Sequence, residues 1–412
     1  MKFPRINTES HLMAKFRLQQ FFIWSTNAVF LNLAIPFFED KGLNKQLIPY
    51  ALALGLVFSI FGRFLWGWII DKTRSLKFTY MGLLAFTFAI TCLTGFIRNE
   101  AGMFVMMAFL GICQHPLGSI SESWVLRKFE GRESQYNFIR VFGSVGFTLF
   151  VILYGKLVET HGWNMIYIGG AFVFGILIAG AAFIGDIKKP DTTTETADTG
   201  ADTGEPSSPA ERNSPDLRLL FKNRSFVTAC LVASIIFIAN APAVSYLFKI
   251  FEAKNGGVVF MSIGYAFSAS GEIPFFLLYH RVFRNVNYIF RLFISVCLYI
   301  AAFTLIYLSA NAWIAACGMA LYGMAYSIFL PTMRFYIVRI APVGLETSAQ
   351  TVADAFYNSV APILSTIFFG MMINAPTFGM MKSMLVAIGL HLLALAIIAI
   401  WLFFERRELK RP

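Results

Sequence analysis

Long apolar blocks alternate with short polar segments along this chain. Each block contains about 18 or more mainly apolar residues, which is the length that an α-helix needs to cross a hydrocarbon layer of roughly 30 Å. The pattern predicts an all-α membrane protein with twelve transmembrane helices, which we number as spans 1 to 12. Their approximate bounds are residues 14–38, 47–70, 78–97, 103–126, 138–158, 163–184, 226–249, 258–279, 288–309, 312–333, 349–373 and 380–404.

One polar stretch, residues 186–216, interrupts the series between spans 6 and 7. It consists largely of Thr, Asp, Glu, Gly, Ser and Pro and offers almost no apolar side chain to bury. Such a composition is typical of a disordered linker. We therefore predict an N-terminal bundle of six helices in residues 1–185 and a C-terminal bundle of six helices in residues 217–412.

The composition agrees with a membrane protein and limits the possible partners. Hydrophobic residues make up 57% of the chain and charged residues only 14%, whereas soluble domains carry about 25% charged residues. The net charge of +11 would suit nucleic acid, but most of the 34 Lys and Arg residues follow even-numbered spans or flank the termini. This distribution predicts a multi-pass protein of the cell membrane with the linker and both termini in the cytoplasm. Its basic surface then meets the lipid bilayer and not nucleic acid.

The first candidate for function is Arg140, which lies inside span 5. An ionised side chain near the bilayer centre costs about 2.5–3.5 kcal/mol on insertion scales, so it persists only beside a partner or a water-filled cavity. Glu122, near the end of span 4, can pair with Arg140 if the two helices fold back to back. Ser144 and Phe147 share the helical face of Arg140. We predict that these four residues contact a solute, and a purely structural ion pair is the alternative.

Span 1 carries further polar positions. Gln20, Trp24 and Asn27 follow a spacing of four and three residues, which puts them on one side of a helix. We predict that Trp24 and Asn27 line a solute pathway, with hydrogen bonding between helices as the alternative. Trp24, Phe147 and Tyr322 could stack on a sugar ring or a nucleobase.

Two isolated carboxylates are candidates for carrying a proton. Glu272 lies in the apolar span 8, and Asp354 shares one face of span 11 with Gln350 and Asn358. Burial disfavours the charged form of a carboxyl group, so such a residue can hold a proton and release it when water or a cation arrives. We predict that Glu272 or Asp354 couples transport to protons, and a structural salt bridge is the alternative for Glu272.

The two halves of the chain repeat one pattern. Gly62-Arg63 precedes Asp71-Lys72 by nine positions, and Gly271-Glu272 precedes His280-Arg281 by the same interval. Span 8 therefore looks like span 2 of a repeated six-helix unit. Secondary transporters build a central site between two such repeats.

These features together resemble the major facilitator superfamily over the whole chain. Twelve spans in two sets of six, with a long linker after span 6, are similar to that superfamily. The end of span 2 also resembles that superfamily, which carries a cytoplasmic gate motif at this place. A glycine usually found before the last basic residues of that motif is replaced here. The motif in this chain consists of Gly67, Asp71, Lys72 and Arg74.

Within the superfamily, Glu122 and the run from Arg140 to Phe147 resemble the oligosaccharide:proton symporters, the lactose permease-like group. The resemblance implies that Glu122 and Arg140 bind a sugar. Gly271-Glu272 resembles the coupling carboxylate of that group, and the nucleoside:proton symporters carry a glutamate at the same place. The resemblance also implies a monomer.

Span 10 departs from the lactose permease-like pattern. Tyr322 and Ala325 stand where that group has a histidine and a glutamate. The run from Leu321 to Tyr326 resembles instead the nucleoside symporters, in which a tyrosine of this helix contacts the substrate. This resemblance implies contacts from Tyr322 and Tyr326.

The sequence thus predicts a proton-coupled symporter that imports a small polar solute, a sugar or oligosaccharide first and a nucleoside second. An exporter of drugs or aromatic acids and a membrane sensor that moves no solute are the rival interpretations. No constellation of nucleophile and base, no cluster of metal ligands and no phosphate loop indicates an enzyme. We therefore expect no metal and no cofactor, and the proton gradient as the energy source.

Overall fold

A computed structural model of the chain describes residues 6–73, 75–129, 133–184, 218–342 and 345–408. Long helices dominate these ranges. The predicted linker lies outside them, so the limits of the two bundles at residues 185 and 217 stay predictions. Arg74 of the predicted gate motif also lies outside the described residues.

The N-terminal half contains the helices of spans 1 to 6. They are α1 Ile6–Val29, α2 Ala34–Asp40, α3 Ile48–Thr73, α4 Leu76–Leu93, α5 Glu100–Lys128, α6 Glu133–His161 and α7 Asn164–Ala182.

The C-terminal half contains the helices of spans 7 to 12, and a π-helical turn at Ala355–Val360 interrupts span 11. The helices are α8 Arg218–Lys222, α9 Arg224–Ala239, α10 Ala241–Val244, α11 Leu247–Glu252, α12 Val258–Phe283, α13 Tyr288–Leu308, α14 Ala312–Ile340, α15 Glu346–Asp354, α16 Ala361–Asn374 and α17 Gly379–Glu408.

Among the described residues, eleven helical segments are long and apolar enough to span a membrane. The remaining predicted span, span 7, begins with α9, which has 16 residues. Asparagine side chains cap equivalent helices in the two halves. Asn99 accepts a hydrogen bond from the N–H of Gly102 at the start of α5, and Asn311 accepts one from the N–H of Ile314 at the start of α14.

Spans 1 and 7 are interrupted in the structure. Span 1 breaks at a short 3₁₀ turn between α1 and α2, and span 7 breaks after Asn240. Pro36 in α2 and Pro242 in α10 have no backbone N–H, so neither can donate a bond to the preceding turn. Span 1 therefore ends in the short helix α2, and span 7 ends in the two short helices α10 and α11.

The same helices pack against one another in each half. In the N-terminal half, α3 packs on α5, α1 on α6 and α4 on α7. The C-terminal half repeats this with α12 on α14, α9 on α16 and α13 on α17. Between the halves, α6 packs on α12 and α3 packs on α16. These contacts form two pseudo-symmetric six-helix bundles that face each other.

Two glycines at equivalent positions allow close contacts between helices in the two halves. Gly62 of α3 lies against the backbone of Ile112, and Gly271 of α12 lies against the backbone of Ala320. A methyl group at either glycine would overlap a backbone carbonyl oxygen. The repeat that was predicted from the sequence therefore has the same packing role in both halves, and Gly271 fixes the position of its neighbour Glu272.

Candidate functional site

The predicted ion pair between spans 4 and 5 is present inside the N-terminal half. Arg140 of α6 donates from Nε to Oε1 of Glu122 in α5 over 2.9 Å. The guanidinium carbon of Arg140 lies 4.1 Å from the ring centroid of Trp24 in α1, which is a cation–π contact. The side chains of Arg140 and Glu122 keep 31% and 26% exposure. Three helices thus bring an ion pair and an aromatic ring together, and both charged side chains stay partly exposed.

A hydrogen-bonded layer behind Trp24 holds its indole in place. The indole Nε1 donates to Oε1 of Gln20 over 3.1 Å, and Nε2 of Gln20 donates to Oγ of Ser121 over 3.0 Å. Gln20 and Ser121 are fully buried. The orientation of Trp24 over Arg140 is therefore fixed by α1 and α5 together.

Asn27 bonds between helices. Its Oδ1 accepts a hydrogen bond from Nε2 of Gln114 over 3.2 Å, and the same amide donates to Thr26 over 2.8 Å. Gln114 and Thr26 are buried. The alternative of hydrogen bonding between helices thus describes the contacts of Asn27, while its role in a solute pathway stays a prediction.

The C-terminal half faces this cluster with a carboxylate and tyrosines. Glu272 lies in α12, which packs on α6, the helix of Arg140, across the interface between the halves. Tyr326 belongs to α14, which packs on α12, the helix of Glu272. The predicted solute-binding residues of both halves therefore border one region, with Glu272 beside it.

Phe147 and Tyr322 have different surroundings. Phe147 meets Tyr265 of α12 edge to face, with the ring centroids 6.3 Å apart. Tyr322 is only 7% exposed and packs on Tyr299, with the centroids 5.3 Å apart. Tyr326 is partly exposed, so it offers more surface to a solute than Tyr322 does. Ser144 is partly exposed on the face that carries Arg140.

Asp354 has a local partner. Its Oδ1 accepts a hydrogen bond from Nδ2 of Asn358 over 3.0 Å, one turn further along span 11. The structure therefore gives the two predicted proton carriers different environments: Glu272 lies on the helix that packs on α6 of the other half, and Asp354 bonds within span 11.

The described part of the predicted gate motif lies at the end of α3. Gly67, Asp71 and Lys72 are all exposed. Nζ of Lys72 lies 4.9 Å from the ring centroid of Trp68. Because Arg74 lies outside the described residues, the pairing of this motif with a neighbouring helix stays a prediction.

Sequence reasoning missed two polar groups, the partly exposed Tyr265 and the buried His391. Tyr265 lies seven residues before Glu272, so helical periodicity could have placed both on one face of span 8. His391 of α17 is fully buried, and its Nε2 lies 3.2 Å from Oδ1 of Asn240 at the break of span 7. Its Nδ1 lies 2.9 Å from the carbonyl oxygen of Ala387. No sequence signal links His391 to Asn240.

Comparisons with known proteins agree with this architecture. The family model described as "MFS_1 like family" matches residues 14–384. The chain is 23% identical over 352 residues to the maltose permease of Geobacillus stearothermophilus, covering 84% of this chain and 84% of that protein.

Two solved structures are similar in fold. The nucleoside transporter NupG superposes with a TM-score of 0.74 at 17% identity, over 95% of this chain and 99% of that one. The D-xylose-proton symporter gives 0.69 at 13% identity, over 95% and 97%. At these identities the structural likenesses show the fold alone.

Proposed function

We propose that this chain, which belongs to the MFS_1 like family of major facilitator transporters, imports a small polar solute together with a proton. A sugar or oligosaccharide is the first candidate. The observation that carries the proposal is the Glu122–Arg140 pair of one half, because α6, the helix of Arg140, packs on α12, the helix of Glu272, in the other half. A site shared by both halves changes shape when they rock, as alternating access requires.

The groups of the N-terminal half suit a ligand rich in hydroxyls. Glu122 occupies Nε of Arg140, so the two terminal amino groups are the donors that vicinal hydroxyls could meet in a planar arrangement. Glu122 can accept from a further hydroxyl, and Trp24 offers an aromatic face to a sugar ring. The maltose permease relative supports this choice of substrate class.

Glu272 is the proposed proton carrier. Protonation removes the negative charge of Glu272, so the net charge near Arg140 and Glu122 differs between the protonated and deprotonated protein. A proton gradient drives accumulation only if solute binds differently to the protonated and deprotonated forms. We propose that the protonated form binds solute and that deprotonation toward the cytoplasm releases it. The name of the D-xylose-proton symporter, which has the same fold, supports proton coupling.

A nucleoside is the second candidate, and the tyrosines favour it. Tyr326 of the C-terminal half is partly exposed, and Trp24 of the N-terminal half lies over Arg140. Two aromatic faces suit a nucleobase as well as a sugar ring. The similarity in fold to the nucleoside transporter NupG supports testing nucleosides next to sugars.

The proposed orientation puts both termini in the cytoplasm, and the protein acts as a monomer in the cell membrane. The basic residues that follow even-numbered spans support this orientation.

Transport by purified protein in proteoliposomes tests the proposal. Counterflow of maltose, D-xylose and nucleosides identifies the solute, and a pH dye outside the vesicles reports uptake of protons with it. We expect Glu272→Gln to keep counterflow, which needs no net proton movement, and to lose accumulation driven by a pH gradient. Asp354→Asn is the matched control, because the introduced amide can still bond to Asn358, and we expect it to keep both activities.

Two outcomes would overturn the coupling assignment. Solute uptake by the unmodified protein without proton movement would refute symport. Loss of accumulation in Asp354→Asn but not in Glu272→Gln would move the proton to Asp354.

A further inference from the structure

The two halves are joined at one end of the molecule by polar contacts. This end lies opposite residues 184 and 218, and we call it the linker-distal end. Nδ2 of Asn374 donates to the carbonyl oxygen of Lys45 over 2.9 Å, which connects α16 to the start of α3. Gly155 of α6 lies directly against the side chain of Ser262 in α12. Helices of both halves are therefore closely packed here.

An ion pair lies in this contact, between the short helices that end spans 1 and 7. Nζ of Lys249 in α11 is 2.6 Å from Oε1 of Glu39 in α2 and 2.8 Å from its Oε2. The two side chains keep only 12% and 11% exposure. The pair joins residues 210 positions apart, one from each half. Opening this end requires that the pair separate.

Each member of the pair also has a partner of opposite charge on its own half. Nζ of Lys249 lies 2.7 Å from Oε2 of Glu252, three residues later in α11. Oε2 of Glu39 lies 3.6 Å from Nζ of Lys45. Lys45 and Glu252 are much more exposed, at 60% and 48%. Both buried charges thus keep a counter-ion if the halves move apart.

These local partners change the cost of opening. A buried charge that loses its only partner is strongly destabilised, because its desolvation is no longer offset. When the halves separate, the Glu39–Lys249 pair is lost, but Glu39 keeps Lys45 and Lys249 keeps Glu252 as partners within each half. The removal of an interhalf partner and the removal of a local partner should therefore shift the opening equilibrium in opposite directions.

We propose that Glu39 and Lys249 form an ion-pair latch that closes the linker-distal end, and that Lys45 and Glu252 receive these charges when the latch opens during transport. The proposal assigns transport roles to four charged residues outside the solute site. It concerns the movement of the two halves and does not depend on the identity of the solute or on proton coupling.

Cysteine labelling measures the opening directly. The reporter is Ser262→Cys in a protein whose five native cysteines are replaced, since Ser262 is 1% exposed and becomes accessible only when this end separates. The probe is a polar maleimide, added to the protein in detergent or nanodiscs without solute. We expect Glu39→Gln to raise the labelling rate roughly tenfold, because it weakens the interhalf attraction.

Glu252→Gln is the matched control on the same lysine. Like Glu39→Gln, it removes a carboxylate charge that contacts Lys249, but it leaves the pair between the halves intact. We expect it to lower the labelling rate, because Lys249 then loses Glu252, the carboxylate of its own half that receives it. Lys45→Gln should also lower the labelling rate, because Glu39 then loses its partner of the same half.

The charge exchange E39K/K249E separates a latch from a general folding defect. It restores attraction between the halves, so its labelling rate should fall below that of Glu39→Gln. Unchanged labelling in Glu39→Gln, equal increases in Glu39→Gln and Glu252→Gln, or a double variant labelled as fast as Glu39→Gln would each overturn the proposal.

Discussion

Gly271 offers a sharp test of how the site is positioned. This glycine precedes Glu272 in α12, and it lies against the backbone of Ala320 in α14. We expect Gly271→Ala to destabilise the protein, because the added methyl group overlaps the carbonyl oxygen of Ala320. A backbone carbonyl inside a packed helix cannot turn aside as a flexible side chain can, so the two helices must move apart.

The magnitude follows from a comparison with a second glycine. Forcing an extra methyl group into a well-packed contact costs about 1–3 kcal/mol. Gly389 of α17 has no atom within 4 Å of an added methyl group, so Gly389→Ala lacks this cost. Both substitutions gain the same helical preference of alanine over glycine, roughly 0.5–1 kcal/mol. The difference between the two variants therefore isolates the packing cost, and we expect it near the upper end of that range.

Reversible unfolding in mixed detergent micelles, followed by circular dichroism, measures both variants. We expect Gly389→Ala to match or exceed the stability of the unmodified protein and Gly271→Ala to fall below it. Equal stabilities would refute the close contact between α12 and α14. The same preparation tested for counterflow shows whether displacing Glu272 also impairs transport.

Two further predictions concern contacts of the site and of the span 7 break. Arg140→Lys keeps the charge but loses the planar group that lies over Trp24, so we expect about tenfold weaker solute binding by thermal shift; equal affinity would mean that only charge matters. His391→Leu leaves the amide of Asn240 without its partner, and we expect unfolding to become easier by about 1–3 kcal/mol. A simultaneous Asn240→Leu should cost less than the sum of the two single changes, and simple additivity would contradict a direct contact.

The candidate site was predictable where a local energetic demand existed. An arginine inside an apolar span needs a partner, and Glu122 was the acidic residue that a short turn could bring to it. Spacing on one helix also indicated that Trp24 lies beside polar neighbours. The break of span 7 was missed, because apolar composition continues through Asn240 and Pro242.

The sequence by itself determined the helices and the pairing of spans 4 and 5, because apolar length, helical periodicity and the cost of a lone charge all act over short distances along the chain. The tertiary structure decided which distant groups meet. Glu39 reaches Lys249 across 210 residues, and His391 reaches Asn240 across 151. Such contacts depend on the rotation and offset of whole helices, which are set by the summed packing of many apolar side chains and leave no local signature.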